Sequence, residues 1–348
     1  MDKVVYFLGA GFSAPLGLPV MSNFLIKSKD MYSSEPQRFA HFSDVFEMIK
    51  EMSVSKNYFE ADLFNIEEIL SILEMRQQLQ GAVLQQSFVK YLIDVVEHFT
   101  PHVRARSDLP ANWHRYVFAS PLEHAYGYFI ASLLNLSLGT TGRELKAMKS
   151  ASPSASYSIV TLNYDCVVED FERFFGRCHG GETLGGIPMA KLHGNVESKR
   201  IIPPTWNKVL HPESVSTWKQ AFDLLREANH IRIIGYSLPT ADSYVKYLLK
   251  SAAMAAPHLK GTDVLCMDPT GAVKLRYDEF ISFYRYRFTR ASVVDYLNGH
   301  FEVLVKPFEH SFGPPMICDR LEVFHESFFG GLGLGRGQTY GDERPGGS

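Results

Sequence analysis

The sequence predicts an α/β fold, a parallel sheet with helices on both faces that carries a large helical insertion. Two observations lead there. Short β-branched runs alternate with longer stretches of helical spacing, and each run ends in a turn of small or polar residues. In an open sheet of this kind ligands bind beyond the carboxyl ends of the strands, so those turns collect on one edge. A chain of 348 residues accommodates one large domain with an insertion, or two modest domains.

Residues 4–8 (VVYFL) read as a fully buried first strand that runs straight into Gly9-Ala10-Gly11. The long stretch that follows looks almost wholly helical. Ile66, Ile69, Leu70 and Leu73 recur at helical spacing behind a capping-box pattern, Asn65 as N-cap with Glu68 after it. Residues 83–99 and 123–138 are also spaced as helices, and 150–156 (SASPSAS) form the linker returning to the sheet. Residues 158–162 (SIVTL), 230–234 (HIRII) and 263–267 (DVLCM) are further buried strands, and 189–192 (MAKL) is a shorter one. They lead into NYD, GYS, DPTG and HGN respectively. Residues 330–348 have the composition of a flexible tail, and there is no internal repeat. The organisation expected is a discontinuous sheet domain (1–29 and 156–329), a helical insertion (30–155) and the tail.

Composition bounds the function. With 35 Lys and Arg against 38 Asp and Glu, the net charge of −3 gives no electrostatic reason to expect a nucleic-acid or membrane partner. Met1-Asp2-Lys3 leads into an apolar run too short for a signal peptide or a membrane span, so the expected location is cytoplasmic. Cys166, Cys178, Cys266 and Cys318 are dispersed and form no C-x-x-C pair. That argues for a reducing compartment and against a structural zinc ribbon, so no zinc or other metal is expected.

The turns carry the candidate chemistry. Gly9-Ala10-Gly11-Phe12-Ser13-Ala14 fits G-x-G-x-x-G/A, in which glycines let the backbone approach a pyrophosphate at a helix N-terminus. Alone, such glycines often mark only a tight turn. A nicotinamide dehydrogenase would continue into a long helix and place an acid about 20 residues on. Here Gly17 and Pro19 stop the helix after about one turn, and Asp30 follows LIKSK, a poor strand. A plain dehydrogenase is disfavoured.

In Thr161-Leu162-Asn163-Tyr164-Asp165 the Asn and Asp can orient a neutral amide and a ribose hydroxyl together, though either one serves equally as N-cap of the next helix. In Lys191-Leu192-His193-Gly194-Asn195 a histidine at a strand end suits a general base or a ribose-hydroxyl partner, although it is one of 13 in the chain. Gly235, Ser237 and their neighbours in Ile234-Gly235-Tyr236-Ser237-Leu238-Pro239 could bind phosphate, or form an ordinary βα turn before Thr240-Ala241-Asp242 opens a helix. Asp268 stands where a carboxylate accepts the hydroxyls of an adenosine ribose, and equally where Asp268-Pro269 would start a turn.

A chain reading GAGFSAPLGLP, TLNYD, KLHGN and IIGYSLP in that order, each at a strand end, resembles the sirtuin superfamily over its first 20 residues or so and from about 158 to 270. The resemblance implies a Rossmann-like parallel sheet with helices on both faces plus the large helical insertion, without a zinc ribbon. The departures are informative. Deacetylating sirtuins carry paired zinc cysteines, follow the first motif with Pro-x-Phe-Arg and read T-Q-N-x-D where this chain reads TLNYD; here Pro19-Val20-Met21-Ser22 lacks the Arg. The pattern is instead similar to the sirtuin-like NAD hydrolases of bacterial antiphage systems.

What that resemblance implies is an NAD+ hydrolase that releases nicotinamide and ADP-ribose, with NAD+ as substrate and no other cofactor. Asn163 and His193 would be the catalytic pair. Gly9, Ala10, Gly11 and Ser13 would cradle the pyrophosphate, Asp165 would face the nicotinamide ribose, and Gly235, Ser237 and Asp268 would complete the dinucleotide site. It also implies control by homo-oligomerisation or by a partner ATPase of the HerA type; the chain has no Walker motif of its own. Two other readings fit the same motifs: an NAD-dependent protein deacylase or ADP-ribosyltransferase, and a non-catalytic module that senses NAD or ADP-ribose.

Overall fold

The computed structural model describes residues 1–53, 66–80, 85–180, 184–201, 212–240, 242–308 and 316–331. The chain opens with β1 (Asp2–Leu8), a one-turn helix α1 (Ala10–Ser13) and a short 3-10 turn. Among the described residues there follow α2 (Met21–Ser34), α3 (Phe42–Met52), α4 (Ile66–Gln80) and α5 (Gln85–Phe99). Next come α6 (Pro121–Leu133), a hairpin of β2 (Leu136–Thr141) and β3 (Glu144–Lys149), then β4 (Ala155–Thr161), α7 (Val167–Cys178) and β5 (Met189–Lys191). A small ribbon, β6 (Gly194–Asn195) with β7 (Arg200–Ile201), precedes α8 (Pro212–Arg226) and β8 (His230–Ile234). The remainder is α9 (Ser243–Met254), β9 (Gly261–Leu265), α10 (Ala272–Phe280), β10 (Tyr286–Thr289), α11 (Val293–Val305), β11 (Met316–Ile317) and α12 (Leu321–Gly331). Among the described residues no helix is long and apolar enough to cross a membrane.

Six strands form one sheet, all parallel, in the order β5-β4-β1-β8-β9-β10. In chain order that is third, second, first, fourth, fifth, sixth. This is the doubly wound Rossmann-like arrangement, and the order reverses between β1 and β8. β1 is central and alternates cleanly. Val4, Tyr6 and Leu8 face a core shared with α6, α7 and α11, while Val5 and Phe7 face the core built on α8 and α9.

The strand over 230–234 is found as read, and those over 4–8, 158–162, 189–192 and 263–267 are found with shifted ends. The sheet also gains β10, whose YRFT mixes charge with aromatics and so lacked the apolar run of its neighbours. The stretch read as almost wholly helical contains the β2–β3 hairpin, and β11 joins it as a third strand. Helical spacing over 123–138 ends at Leu133. Asn135 turns left-handed (φ 53°), and Leu136 and Leu138 then alternate with Ser137 and Gly139, a period of two rather than 3.6. Residues 124–133 of α6 are all buried, and the helix lies on the sheet: the Phe129 ring meets Tyr6 edge-on at 5.2 Å. The N-cap assigned to Asn65 lies outside the described residues, as does the chain beyond Gly331.

One face of the sheet carries a transverse ladder of polar residues in register: Tyr6, Arg232, Asp263 and Arg287, on four adjacent strands. Arg232, 1% exposed, makes a bidentate pair with Glu322 of α12 (2.8 and 2.7 Å) and donates to the Tyr6 hydroxyl (2.8 Å). Arg287 grips both oxygens of Asp263 and both of Glu326. Asp263, His325 and Glu326 come close enough to ligate a cation, but the Arg287 guanidinium already supplies the positive charge there. His325 bridges Tyr296 (2.9 Å) and Asp263 (2.9 Å).

Burial and the nearby Arg232 hold the His325 imidazole down at about 4 from an ordinary 6.5, against the pull of Asp263. Burial works to raise Asp263, and its bonds to Arg287 and His325 outweigh that, leaving it at about 2. His325 is therefore neutral in the folded protein while the unfolded chain takes up a proton below pH 6.5. Its contribution to stability is complete above that pH and is lost as the pH falls towards 4. We expect this histidine to cost the fold about 3 kcal/mol between pH 7 and pH 4. Urea unfolding across that range should show a shallower acid slope in His325→Gln, whose amide can keep both hydrogen bonds.

Candidate functional site

The site is built where the strand order reverses. Past the end of β1 the Gly9 amide donates to the Ile234 carbonyl (3.0 Å), and the Gly11 amide to the Gly235 carbonyl (2.9 Å). The two turns touch backbone to backbone. A Cβ on Gly9 would lie 2.6 Å from the Gly235 oxygen, and one on Gly235, whose φ is +68°, would lie 2.3 Å from the Phe12 nitrogen. The glycines expected to make room for a pyrophosphate thus make room for each other. Gly17, at φ +98°, ends the short helical segment as the sequence implied, and the Lys27 ammonium bonds its carbonyl (2.5 Å).

A cavity of about 310 Å³ opens beside these turns. That is at the small end of the range for ligand pockets. Its polar wall is Ser13, Asn163, Asp165 and His193, with Ala10 and the loop Gly235–Asp242 contributing Gly235, Tyr236, Ser237 and Asp242. Its apolar wall comes from Leu18 to Val20, from Met21 and Phe24 of α2, Ile66 of α4, and Leu92 and Val96 of α5. Of the residues singled out from sequence, seven line this one cavity: Ala10, Ser13, Asn163, Asp165, His193, Gly235 and Ser237.

Asn163 is fixed by its own donors. Its Nδ2 donates to the Gly9 carbonyl (3.0 Å) and to Ser13 Oγ (3.2 Å), and its backbone amide to Thr161 Oγ1 (3.0 Å). With both amide protons directed into the glycine turn, the side chain's remaining capacity is that of a neutral acceptor. Asp165 accepts from the Val167 amide (3.1 Å) at the start of α7, whose N-cap is Cys166 rather than Asn163 or Asp165. Burial raises its carboxyl above the usual carboxylate range, and the Lys191 charge, the Ser13 hydroxyl and the Val167 amide offset this in part. His193 is 2% exposed, and its ring lies 5.7 Å from that of Tyr164, tilted by 32°. Gly194 takes φ +76° directly after it, which turns the chain into the β6–β7 ribbon.

Asp268 is not brought to this cavity. Its oxygens accept the Val273 (3.1 Å) and Lys274 (3.0 Å) amides at the start of α10. Burial favours its protonated form, but those amides and Arg290 hold it below the ordinary carboxylate range. The turn that Asp268-Pro269 suggested is the task the carboxylate performs.

Several residues went unnoticed in the sequence. Lys191, inside the KLHGN motif, bonds the Asp165 carbonyl and pairs with Glu169 (2.6 Å). Arg276 of α10 clasps the Ser237 carbonyl with two donors (3.1 and 2.9 Å), bringing a cation to the rim. Asp242 accepts from the Tyr236 hydroxyl (2.8 Å) inside the cavity. The apolar wall had no sequence signal beyond helical spacing.

No protein-family model matches the chain, and no curated protein matches it. Among solved structures it is similar to one described as "Structural Basis for the Mechanism and Regulation of Sir2 Enzymes", at 13% identity and a TM-score of 0.42, covering 88% of this chain and 93% of that one. It is also similar to "Sir2-p53 peptide-NAD+", at 12% identity and a TM-score of 0.33, covering 86% and 92%. The fold assignment rests on this chain's own strand order.

Because Gly235 combines a positive φ with contact against the β1 turn, Gly235→Ala should destabilise the protein by about 2–5 kcal/mol. Urea denaturation measures this. A shift of less than half a kcal/mol would mean that the two turns can separate freely.

Proposed function

We propose that the protein is an NAD+ glycohydrolase, which uses water to cleave the nicotinamide–ribose bond and yields nicotinamide, ADP-ribose and a proton. One observation carries the reading. A single cavity at the switch point of a doubly wound sheet has on its wall a donor-locked amide, Asn163, a buried imidazole, His193, and the Ser13–Asp165 pair. Dinucleotides bind sheets of this kind at that crevice.

The chemistry asks for what these groups offer. When the glycosidic bond breaks, its electron pair passes to the pyridinium nitrogen and discharges the ring, so nicotinamide leaves neutral and needs no acid. The ribose carbon becomes electron-poor, and oxygen acceptors placed near it stabilise the developing charge. Asn163 can accept a hydrogen bond from the attacking water or from a ribose hydroxyl and so hold it in line. His193 takes the proton that this oxygen loses as it bonds to carbon. The apolar wall from α2, α4 and α5 limits competing water and strengthens the polar contacts inside. The diphosphate belongs at the rim, where Ser237 and the Arg276 guanidinium meet.

An enzyme of this kind would drain its own cell of NAD+, and we assign its restraint to assembly. Either the chain oligomerises or a HerA-type ATPase releases it, and the antiphage role suggested by the motifs follows from that control. The test is to incubate the protein with NAD+, alone and with the product of its neighbouring gene, and to follow nicotinamide and ADP-ribose by chromatography. Asn163→Ala and His193→Ala should each lower nicotinamide release by at least about 100-fold, with the circular dichroism and the unfolding midpoint little changed. Full activity in either folded variant refutes the assignment, and acyl-ADP-ribose in place of ADP-ribose would make the protein a deacylase.

A further inference from the structure

We infer that the preferred substrate is the dinucleotide phosphorylated on the 2′-hydroxyl of its adenosine ribose (NADP+), and that Arg290 holds this phosphate; this rests on the glycohydrolase reading. The strand order lays out the binding edge. His193 follows β5, Asn163 follows β4, Gly9 β1, Gly235 β8, Asp268 β9 and Arg290 β10, and these strands are neighbours in that order. The reacting ribose belongs beside Asn163 and His193, and the diphosphate at Ser237 and Arg276. A dinucleotide laid in that direction brings its adenosine ribose to the ends of β9 and β10, three strand spacings or about 14 Å from β4. The cavity of about 310 Å³ is small for a ligand pocket, in keeping with an adenosine half that lies beyond it.

At such a position a carboxylate selects the unphosphorylated ribose by accepting its 2′-hydroxyl, whereas an arginine accommodates a 2′-phosphate. Here the acid is withdrawn and the arginine presented. The Asp268 side chain is 0% exposed, and its oxygens accept the Val273 (3.1 Å) and Lys274 (3.0 Å) amides. It has no open face for a ribose diol. The Arg290 side chain is 54% exposed. Its Nε lies 3.6 Å from Asp268 Oδ2, too far for a hydrogen bond, and none of its five donors hydrogen-bonds a described residue.

The backbone sets the arginine level with the turn after β9. Thr289, the last residue of β10, pairs with Leu265, and its carbonyl accepts the Cys266 amide (3.3 Å). Gly271 then makes room for the guanidinium: a Cβ there would lie 3.2 Å from Arg290 Nη2, and its φ of +84° suits glycine. Arg276, on the Ser237 carbonyl, puts a second cation towards β8. Guanidinium groups match phosphate oxygens with paired donors, which a ribose hydroxyl cannot use as fully.

Isothermal titration of the full chain with ADP-ribose and with ADP-ribose 2′-phosphate reads the contact directly. The phosphorylated ligand should bind at least about 10-fold more tightly, and NADP+ should show the higher kcat/KM for nicotinamide release. Arg290→Gln should bring the two affinities together. If that variant does not fold, Arg290→Lys, which keeps the charge beside Asp268 but lacks the paired donors, should still reduce the preference. Binding of the phosphorylated ligand no tighter than that of ADP-ribose, a lower kcat/KM for NADP+ than for NAD+, or an unchanged preference in a folded variant overturns the inference. A preference without nicotinamide release overturns only the glycohydrolase reading, and binding of neither ligand overturns both.

Discussion

Everything at the site depends on two turns that share backbone hydrogen bonds because neither has a side chain in the way. Gly9 and Gly11 close against Gly235 at the one place where the winding of the sheet changes direction. The consequence reaches further than the turns. The Gly9 carbonyl is one of the two groups that hold the Asn163 amide, and Ser13, in the same short helix, is the other. An atom added at the junction would therefore displace the Asn163 amide from the cavity wall.

Beneath the site the sheet is asymmetric. One face is mainly apolar, while the other carries the Tyr6–Arg232–Asp263–Arg287 ladder under α12. Buried charges are costly to desolvate, and an apolar replacement is often as stable. What this ladder adds is specificity: each charge finds a partner only when all four strands and α12 are in register. Of the strands that carry the site's turns, β1 and β8 are thereby fixed along their length. Their tips do not have to hold the geometry alone.

Much of this was legible in the sequence, for a physical reason. Small and polar residues directly after a buried run must lie at a strand end, so GAGFS, TLNYD, KLHGN and IIGYS could be assigned to one edge without knowing the pairing. The strand order that makes them converge follows from their sequence positions only once the sheet is seen. Other features had no local signal. Leu136 and Leu138 continued the spacing of α6 by chance, and the hairpin was hidden. Asp268 and Asp242 look alike in sequence, each an acid before a helix; the first accepts two amides of the helix's first turn and the second accepts a tyrosine hydroxyl. The apolar wall from α2, α4 and α5 depends on how distant helices pack, which periodicity cannot report.

The central position of β1 has a consequence for biosynthesis. Phe7 pairs with Val160 on one side and Ile233 on the other, so both edges of β1 wait for partners encoded far downstream. At ordinary translation rates Ile233 emerges on the order of ten to fifty seconds after β1. Until Val160 is made, both edges of this apolar strand lack partners, and the edge facing β8 stays open until Ile233 follows, which makes the nascent chain a natural client for a ribosome-associated chaperone.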